Sequence, residues 1–223
     1  MSRFKVTITS IRFITHDVLQ IRTEKPSGLT FTPGQATEIF VDKPGWEQEG
    51  RPFTFTSLPS DSHLEFTIKT YPSRKGVTNE LRTLSAGDTI ILNDVFGAIE
   101  YKGEGVFIAG GAGVTPFICI LRSLAVENKI GNNKLIFANK RKADIILKEE
   151  FERLLGENFV NILSDENAPG HAHGLITEEF LKAQVPDFTR MFYLCGPPPM
   201  MDALEAQMAR LGVDPNRIVK EES

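Results

Sequence analysis

The sequence predicts a two-part protein: an antiparallel β-barrel over residues 1–101, followed by an α/β half built on a parallel sheet over residues 102–223. Three observations carry this. The first hundred residues hold short apolar runs of period two, broken by proline and glycine at close spacing. The remainder alternates strand-like and helix-like segments, the pattern of a parallel sheet with helices on both faces. Between the two lies Gly105–Leu121, GVFIAGGAGVTPFICIL, which reads as a buried strand, a glycine turn and a helix start.

In the first part, Phe4, Val6, Ile8 and Ile11 to Ile14 alternate, and Val18, Leu19 and Ile21 begin a second strand. Pro26, Gly28, Pro33 and Gly34 punctuate the chain before further strands at 36–41, 53–57, 64–70 and 89–92. One short helix is expected from Thr78 to Leu84. A closed antiparallel barrel is the natural packing of so many short strands. Within it, Arg51-Pro52-Phe53-Thr54-Phe55-Thr56-Ser57 places Arg51, Phe53, Phe55 and Ser57 on one face of an alternating strand and Thr54 and Thr56 on the other. An arginine beside aromatic rings and hydroxyls suits a ligand with both phosphate and a flat ring. A plain half-buried strand with a surface arginine is the other reading. Likewise Gly76-Val77-Thr78-Asn79 stands at a helix start where Thr78 caps the helix, either as a simple cap or as a second phosphate site.

In the second part, Gly110, Gly111 and Gly113 free the backbone for a sharp turn and a close ligand, and Pro116 fits the first helical turn. The free N–H groups and positive dipole end of such a helix suit phosphate, although an ordinary strand-to-helix connection uses glycine too. The stretch is uncharged between Glu104 and Arg122, but it is too short and glycine-rich for a membrane span. Strands follow at 134–138, 159–163, 191–194 and 218–219, with helices at 144–155, 177–183 and 200–211. Ligands in parallel sheets bind at the carboxyl ends of strands, where both the Gly110 turn and Cys195-Gly196 stand. After the 134–138 strand comes Asn139-Lys140-Arg141-Lys142, where an NAD site usually has an acid. Cations there suit a 2′-phosphate and so NADP rather than NAD; a solvated basic loop is the alternative.

Hydrophobic content of 41%, charged content of 24% and a net charge of −4 describe an ordinary soluble protein and argue against nucleic-acid or acidic-membrane partners. Cys119 and Cys195, the two cysteines, cannot ligate an iron–sulfur cluster and build no disulfide framework. Arg3, Lys5 and Arg12 interrupt the region where a signal peptide needs an apolar core, so a cytoplasmic location is expected. His171 and His173 lack the neighbouring carboxylate or thiolate that would complete a metal site.

RPFTFTS at 51–57, GVTN at 76–79, GGAGVTPF at 110–117 and YLCGPPPMM at 193–201 occur in this order, and together they resemble the ferredoxin-NADP reductase and flavodoxin reductase family over almost the whole chain. The resemblance implies an FAD-binding barrel and a Rossmann-like domain for a pyridine nucleotide, NADP(H) with NAD(H) as the alternative. It places Arg51 on the flavin pyrophosphate, with Pro52 and Phe53 beside the flavin and Thr54 near its N5. Gly76, Val77 and Thr78 would bind the pyrophosphate, and Ile68, Lys69, Thr70 and Tyr71 would line the flavin. Gly111, Gly113, Thr115 and Pro116 would surround the nicotinamide nucleotide, Lys140 and Arg141 its 2′-phosphate, and Cys195, Gly196 and Pro197 the nicotinamide ring. The implied reaction is hydride transfer from NADPH to FAD, then electron delivery to a ferredoxin- or flavodoxin-like carrier, with Thr54 and Cys195 at the reacting atoms. A reductase for an oxygenase, free flavin or iron, and a non-catalytic regulatory subunit, are the competing functions. Phe53 lacks the hydroxyl of the family's usual tyrosine. The ending Lys220-Glu221-Glu222-Ser223 lacks the aromatic residue that covers the flavin in many relatives.

Overall fold

The structure is a computed structural model, and it describes residues 3–97 and 99–221. The barrel half contains β1 (Phe4–Phe13), β2 (Val18–Glu24), β3 (Ala36–Val41), β4 (Arg51–Thr54), β5 (His63–Lys69) and β6 (Thr89–Phe96). They form one antiparallel sheet in the order β4-β3-β6-β1-β2-β5. A bridge between Phe55 and Phe66 brings the two edge strands together and all but closes the barrel. Closure removes the exposed edges that an open sheet would offer to other chains. Ile21, Ile39, Leu64, Phe66 and Leu92 fill the interior and are fully buried.

Three expectations for this half change. Ladder pairing in the 51–57 strip ends at Thr54, and from that residue on every side chain to Ser57 is buried, so the simple alternation of faces does not hold. The reason is that this stretch has the barrel core on one side and a helix of the other half on the other. The short helix is α1 (Val77–Glu80), continued by a 3-10 turn over Leu81–Thr83 rather than one α-helix. Its N-cap is Gly76, with no side-chain cap, so Thr78 lies inside the helix and does not cap it.

The second half contains β7 (Gly105–Gly110), β8 (Lys134–Asn139), β9 (Phe159–Leu163), β10 (Ala172–His173), β11 (Met191–Cys195) and β12 (Ile218–Lys220), all parallel, in the order β10-β9-β8-β7-β11-β12. Helices α2 (Thr115–Val126) and α3 (Lys148–Leu155) cover one face through Phe117, Leu121 and Phe151; α4 (Glu178–Gln184) and α5 (Pro198–Arg210) cover the other through Leu181, Leu204 and Met208. The helix expected from Asp144 begins instead at Lys148, because Leu147 adopts a left-handed φ of 51° and breaks the helical path. Thr177 caps α4, its hydroxyl accepting from the Phe180 N–H. Among the described residues no helix is long and apolar enough to cross a membrane.

The halves share their cores. Cys119, on α2, packs within the barrel core, and Val18, on β2, packs within the core of the α/β half.

Candidate functional site

The strand order reverses between β7 and β11, since β8 to β10 extend to one side of β7 and β11 and β12 to the other. Ligands of parallel α/β sheets bind at such a switch point, outside the carboxyl ends of the strands. Here those ends are Gly110 and Cys195, and the two sequence motifs that stand 85 residues apart in the chain meet there. A Cβ on Gly113 would lie 2.2 Å from the Cys195 carbonyl oxygen and 2.7 Å from the Gly196 nitrogen. A Cβ on Gly110 would lie 2.4 Å from Met200 Sδ and 2.8 Å from Pro197 Cδ. Gly111 has a left-handed φ of 52° and open space where a side chain would stand. The glycines therefore do two jobs: Gly110 and Gly113 let the turns pack together, and Gly111 leaves a clear backbone surface. A 3-10 turn over Gly111–Val114 leads into α2, with Thr115 and Pro116 opening the helix.

Cys195 is partly buried at this junction. Burial, aided by the Glu221 carboxylate, pushes its thiol up to about 12; burial does the same to Cys119. Both cysteines are thus neutral thiols at physiological pH, with only a minute thiolate fraction. Iodoacetamide is expected to label neither in the native protein near neutral pH within minutes, and both after denaturation, as read by mass spectrometry. Glu221 follows β12, whose register sets Lys220 beside Leu194 and so carries Glu221 to Cys195. Although the residue is exposed as a whole, desolvation of its carboxyl group holds it above the ordinary range. Nothing in the local sequence marks Glu221; only strand pairing places it. Glu222 and Ser223, the rest of the non-aromatic ending, lie outside the described residues.

On the barrel, the Arg51 guanidinium is exposed; its Nη1 donates to the adjacent Gly50 carbonyl at 2.6 Å. Pro52 is exposed, Phe53 is half-buried against the core, and Thr54 is nearly buried with no hydrogen bond to its hydroxyl among the described residues. Ile68 points into the barrel core, which takes its side chain out of a ligand's reach. Lys69 and Thr70 are both held by Asp17. The Lys69 ammonium lies 3.0 Å from its carboxylate, and the Thr70 hydroxyl and N–H donate to its carbonyl at 2.9 and 2.7 Å. Tyr71 is exposed, with the Arg74 guanidinium 5.1 Å above its ring. Gly76 leaves open space ahead of Val77 and Thr78. These features fit a flavin dinucleotide: an exposed guanidinium bonded, among the described residues, only to its neighbours Gly50 and Glu49 and an open helix start for phosphate, and a half-exposed ring and a spare hydroxyl for a flat heterocycle.

Lys140 and Arg141 are exposed at the carboxyl end of β8, next to the Gly110 turn. Neither they nor Lys142 enters an ion pair among the described residues, so the cations face outward. The Arg141 N–H donates to Asp144, which shapes the loop; His16 lies 3.7 Å from both Asp144 and Asp17, linking it to the Lys69 segment. Sequence reading assigned no role to Asp17, because a single acid in a turn carries no pattern.

Comparison with known proteins follows the same division. Residues 3–102 match an FAD-binding domain family and residues 107–206 an oxidoreductase NAD-binding domain family. The chain is 30% identical over 226 residues to the ferredoxin–NAD(P)(+) reductase component of the naphthalene 1,2-dioxygenase/salicylate 5-hydroxylase systems of Ralstonia sp, covering 96% of this chain and 67% of that one. It is 31% identical over 217 residues to the propane 2-monooxygenase reductase component of Rhodococcus jostii, covering 89% of this chain and 58% of that one. It is 29% identical over 231 residues to NADH-cytochrome b5 reductase 2 of Mycosarcoma maydis, covering 92% and 65%. These relatives are longer, and the chain spans 58% to 67% of their lengths. In fold it is similar to the FAD/NAD-binding domain of nitric oxide dioxygenase from Vibrio cholerae, with a TM-score of 0.87, 24% identity and 97% of each chain covered. It is also similar to a ferredoxin NADP+ reductase from Neisseria gonorrhoeae solved with FAD and NADP, with a TM-score of 0.85, 20% identity, and 99% and 98% covered.

Proposed function

The chain belongs to the ferredoxin-NADP reductase-like family of flavoprotein reductases, and on that premise we propose that it draws reducing equivalents from NADPH, in preference to NADH, through bound FAD and delivers electrons to a separate ferredoxin- or flavodoxin-like carrier. The observation that carries this reading is the meeting of Gly113 with Cys195 at the switch point, ahead of the helix α2 that hydrogen-bonds Thr56 and Ser57, the residues that follow Arg51, Phe53 and Thr54 on the barrel strip. Bound FAD supplies the conversion between two-electron and one-electron chemistry, which no side chain provides.

The protein's part is to hold and align. Arg51 would hold the FAD pyrophosphate by its fork, and the backbone at Gly76, Val77 and Thr78 would donate to its remaining oxygens. Phe53 would lie against the flavin, and Thr54 would hydrogen-bond at its N5. Gly111, Gly113, Thr115 and Pro116 seat the nicotinamide nucleotide, and the neutral Cys195 thiol, with Gly196 and Pro197, borders the nicotinamide. An uncharged group there places no fixed charge beside a carbon that must give up a hydride. Alignment of two rings at contact distance is the main catalytic device, and such preorganisation lowers barriers by several kcal/mol, on the order of 7–11 in favourable cases.

A yellow purified protein that bleaches anaerobically with NADPH supports the reading; a colourless protein that binds nucleotide without turnover would instead support a regulatory subunit. Loss of the Lys140 and Arg141 cations in K140A/R141A is expected to raise the KM for NADPH roughly ten-fold or more while that for NADH barely moves, since a charged hydrogen bond contributes about 1.5–3 kcal/mol. Equal effects on both nucleotides would return the loop to a solvated face. A second reading has specific support: four of the related proteins are named as reductase or electron-transfer components of oxygenase systems. Rapid cytochrome reduction that requires added ferredoxin or flavodoxin separates the carrier reading from an oxygenase-dedicated reductase.

A further inference from the structure

The geometry points to Arg122 as a positioning residue that locks the flavin strip of the barrel to the helix leading from the nicotinamide turn, so that the spacing of the two ring sites is built into the protein. The inference rests on the proposed reductase function. Arg122 lies on α2, seven residues after Thr115, roughly 10 Å along the helix axis from the glycine turn. Its side chain crosses between the halves. Nη1 donates to the Thr56 carbonyl at 2.6 Å and to Glu65 Oε1 at 2.7 Å. Nε and Nη2 donate to the two Glu150 oxygens at 2.6 and 2.8 Å, which ties the guanidinium to α3 as a fork.

The receiving end is equally fixed. Glu65 is buried, and its second oxygen accepts from Arg22 at 2.9 Å while its first also accepts from the Thr56 hydroxyl at 3.1 Å. Burial alone would favour the neutral acid, yet the Arg122 and Arg22 cations hold its carboxyl below the ordinary range. One helical turn before Arg122, the Cys119 thiol donates to the Ser57 carbonyl at 3.0 Å. Two successive carbonyls, at Thr56 and Ser57, are therefore gripped by one helix. Thr56 is two residues from Thr54, so a shift of α2 relative to the flavin strip must break these bonds. A planar fork with several donors is required for this arrangement, and lysine cannot reproduce it.

Two variants test it. R122K keeps the charge beside Glu65 and Glu150 but loses the fork; R122M/E65M removes the spanning pair together, so that Glu65 is not left as a buried unpaired charge. Both are expected to purify with FAD and to bind NADPH with unchanged affinity, while stopped-flow flavin reduction falls about ten- to a hundred-fold, the loss expected of a misplacement on the order of 1 Å. Calorimetry is expected to resolve two unfolding transitions where the wild type shows one. A reduction rate close to wild type, a single transition retained in both variants, or loss of FAD and nucleotide affinity in step with the rate would each overturn the proposal. A wild-type protein bleached by neither nucleotide would instead overturn the reductase reading, and the calorimetric comparison, which needs no turnover, would still decide whether Arg122 locks the halves.

Discussion

Gly113→Ala is expected to abolish measurable reduction of the flavin by NADPH and to lower stability by about 1–3 kcal/mol or more, the usual cost of overpacking. The added methyl would stand 2.2 Å from the Cys195 carbonyl oxygen and 2.5 Å from its carbon. Both are main-chain atoms of a strand paired in register with β7, where Cys195 lies beside Ala109. Neither can yield without parting β7 from β11, and that opens the switch point where the nicotinamide would sit. The neighbouring glycines calibrate the effect. At Gly110 the nearest obstacle is the flexible Met200 side chain, so alanine there is expected to cost less. At Gly111 the space is open and only the left-handed backbone resists, so asparagine, which tolerates that conformation, is expected to be mild. Thermal melts and stopped-flow reduction of the three variants check the order; a Gly113→Ala protein with wild-type kinetics would mean that the two turns do not form one site.

What the sequence made legible was local. The period-two runs of the barrel and the strand–helix alternation after Gly105 are each imposed by which face is buried, so they survive in composition alone. The glycines and Cys195-Gly196 were visible as separate turns, and the rule that ligands gather at strand ends brought them together. Long-range contacts were not visible. Arg122 and Cys119 sit in an apolar helical stretch whose pattern records burial but not the identity of the neighbour, and their partners at Thr56, Ser57 and Glu65 are some sixty residues away. Leu147 gives no warning that it takes a positive φ. Tertiary packing dictates that conformation, whereas a helical period continues unbroken through it. Glu221 owes its place to register with β11, which no single segment encodes.

The strip over residues 51–57 contains the sharpest contrast for experiment, because two residues four positions apart are expected to fail in opposite ways. Phe55 is fully buried, stacked on Phe31 with ring centroids 4.2 Å apart and tilted on Phe66 at 5.2 Å. Its backbone bridges to Phe66 and its N–H donates to the Gln35 carbonyl at 3.0 Å, so it forms part of the barrel's closure. Phe55→Ala is expected to cost about 3–5 kcal/mol, a large part of the 5–15 kcal/mol that holds a typical domain folded. Arg51, on the same strip, is exposed, and among the described residues its side chain bonds only to Gly50 and Glu49 of its own segment. Arg51→Ala is therefore expected to leave the urea midpoint of the apoprotein unchanged while weakening FAD binding at least ten-fold, since a charged hydrogen bond to phosphate contributes about 1.5–3 kcal/mol. Urea melts with and without added FAD read both quantities: the Phe55 variant shifts in both conditions, whereas the Arg51 variant shifts only when FAD is present. An Arg51→Ala protein that still gains the full stabilisation from FAD would remove Arg51 from the phosphate site and leave the helix start at Gly76 as its principal anchor.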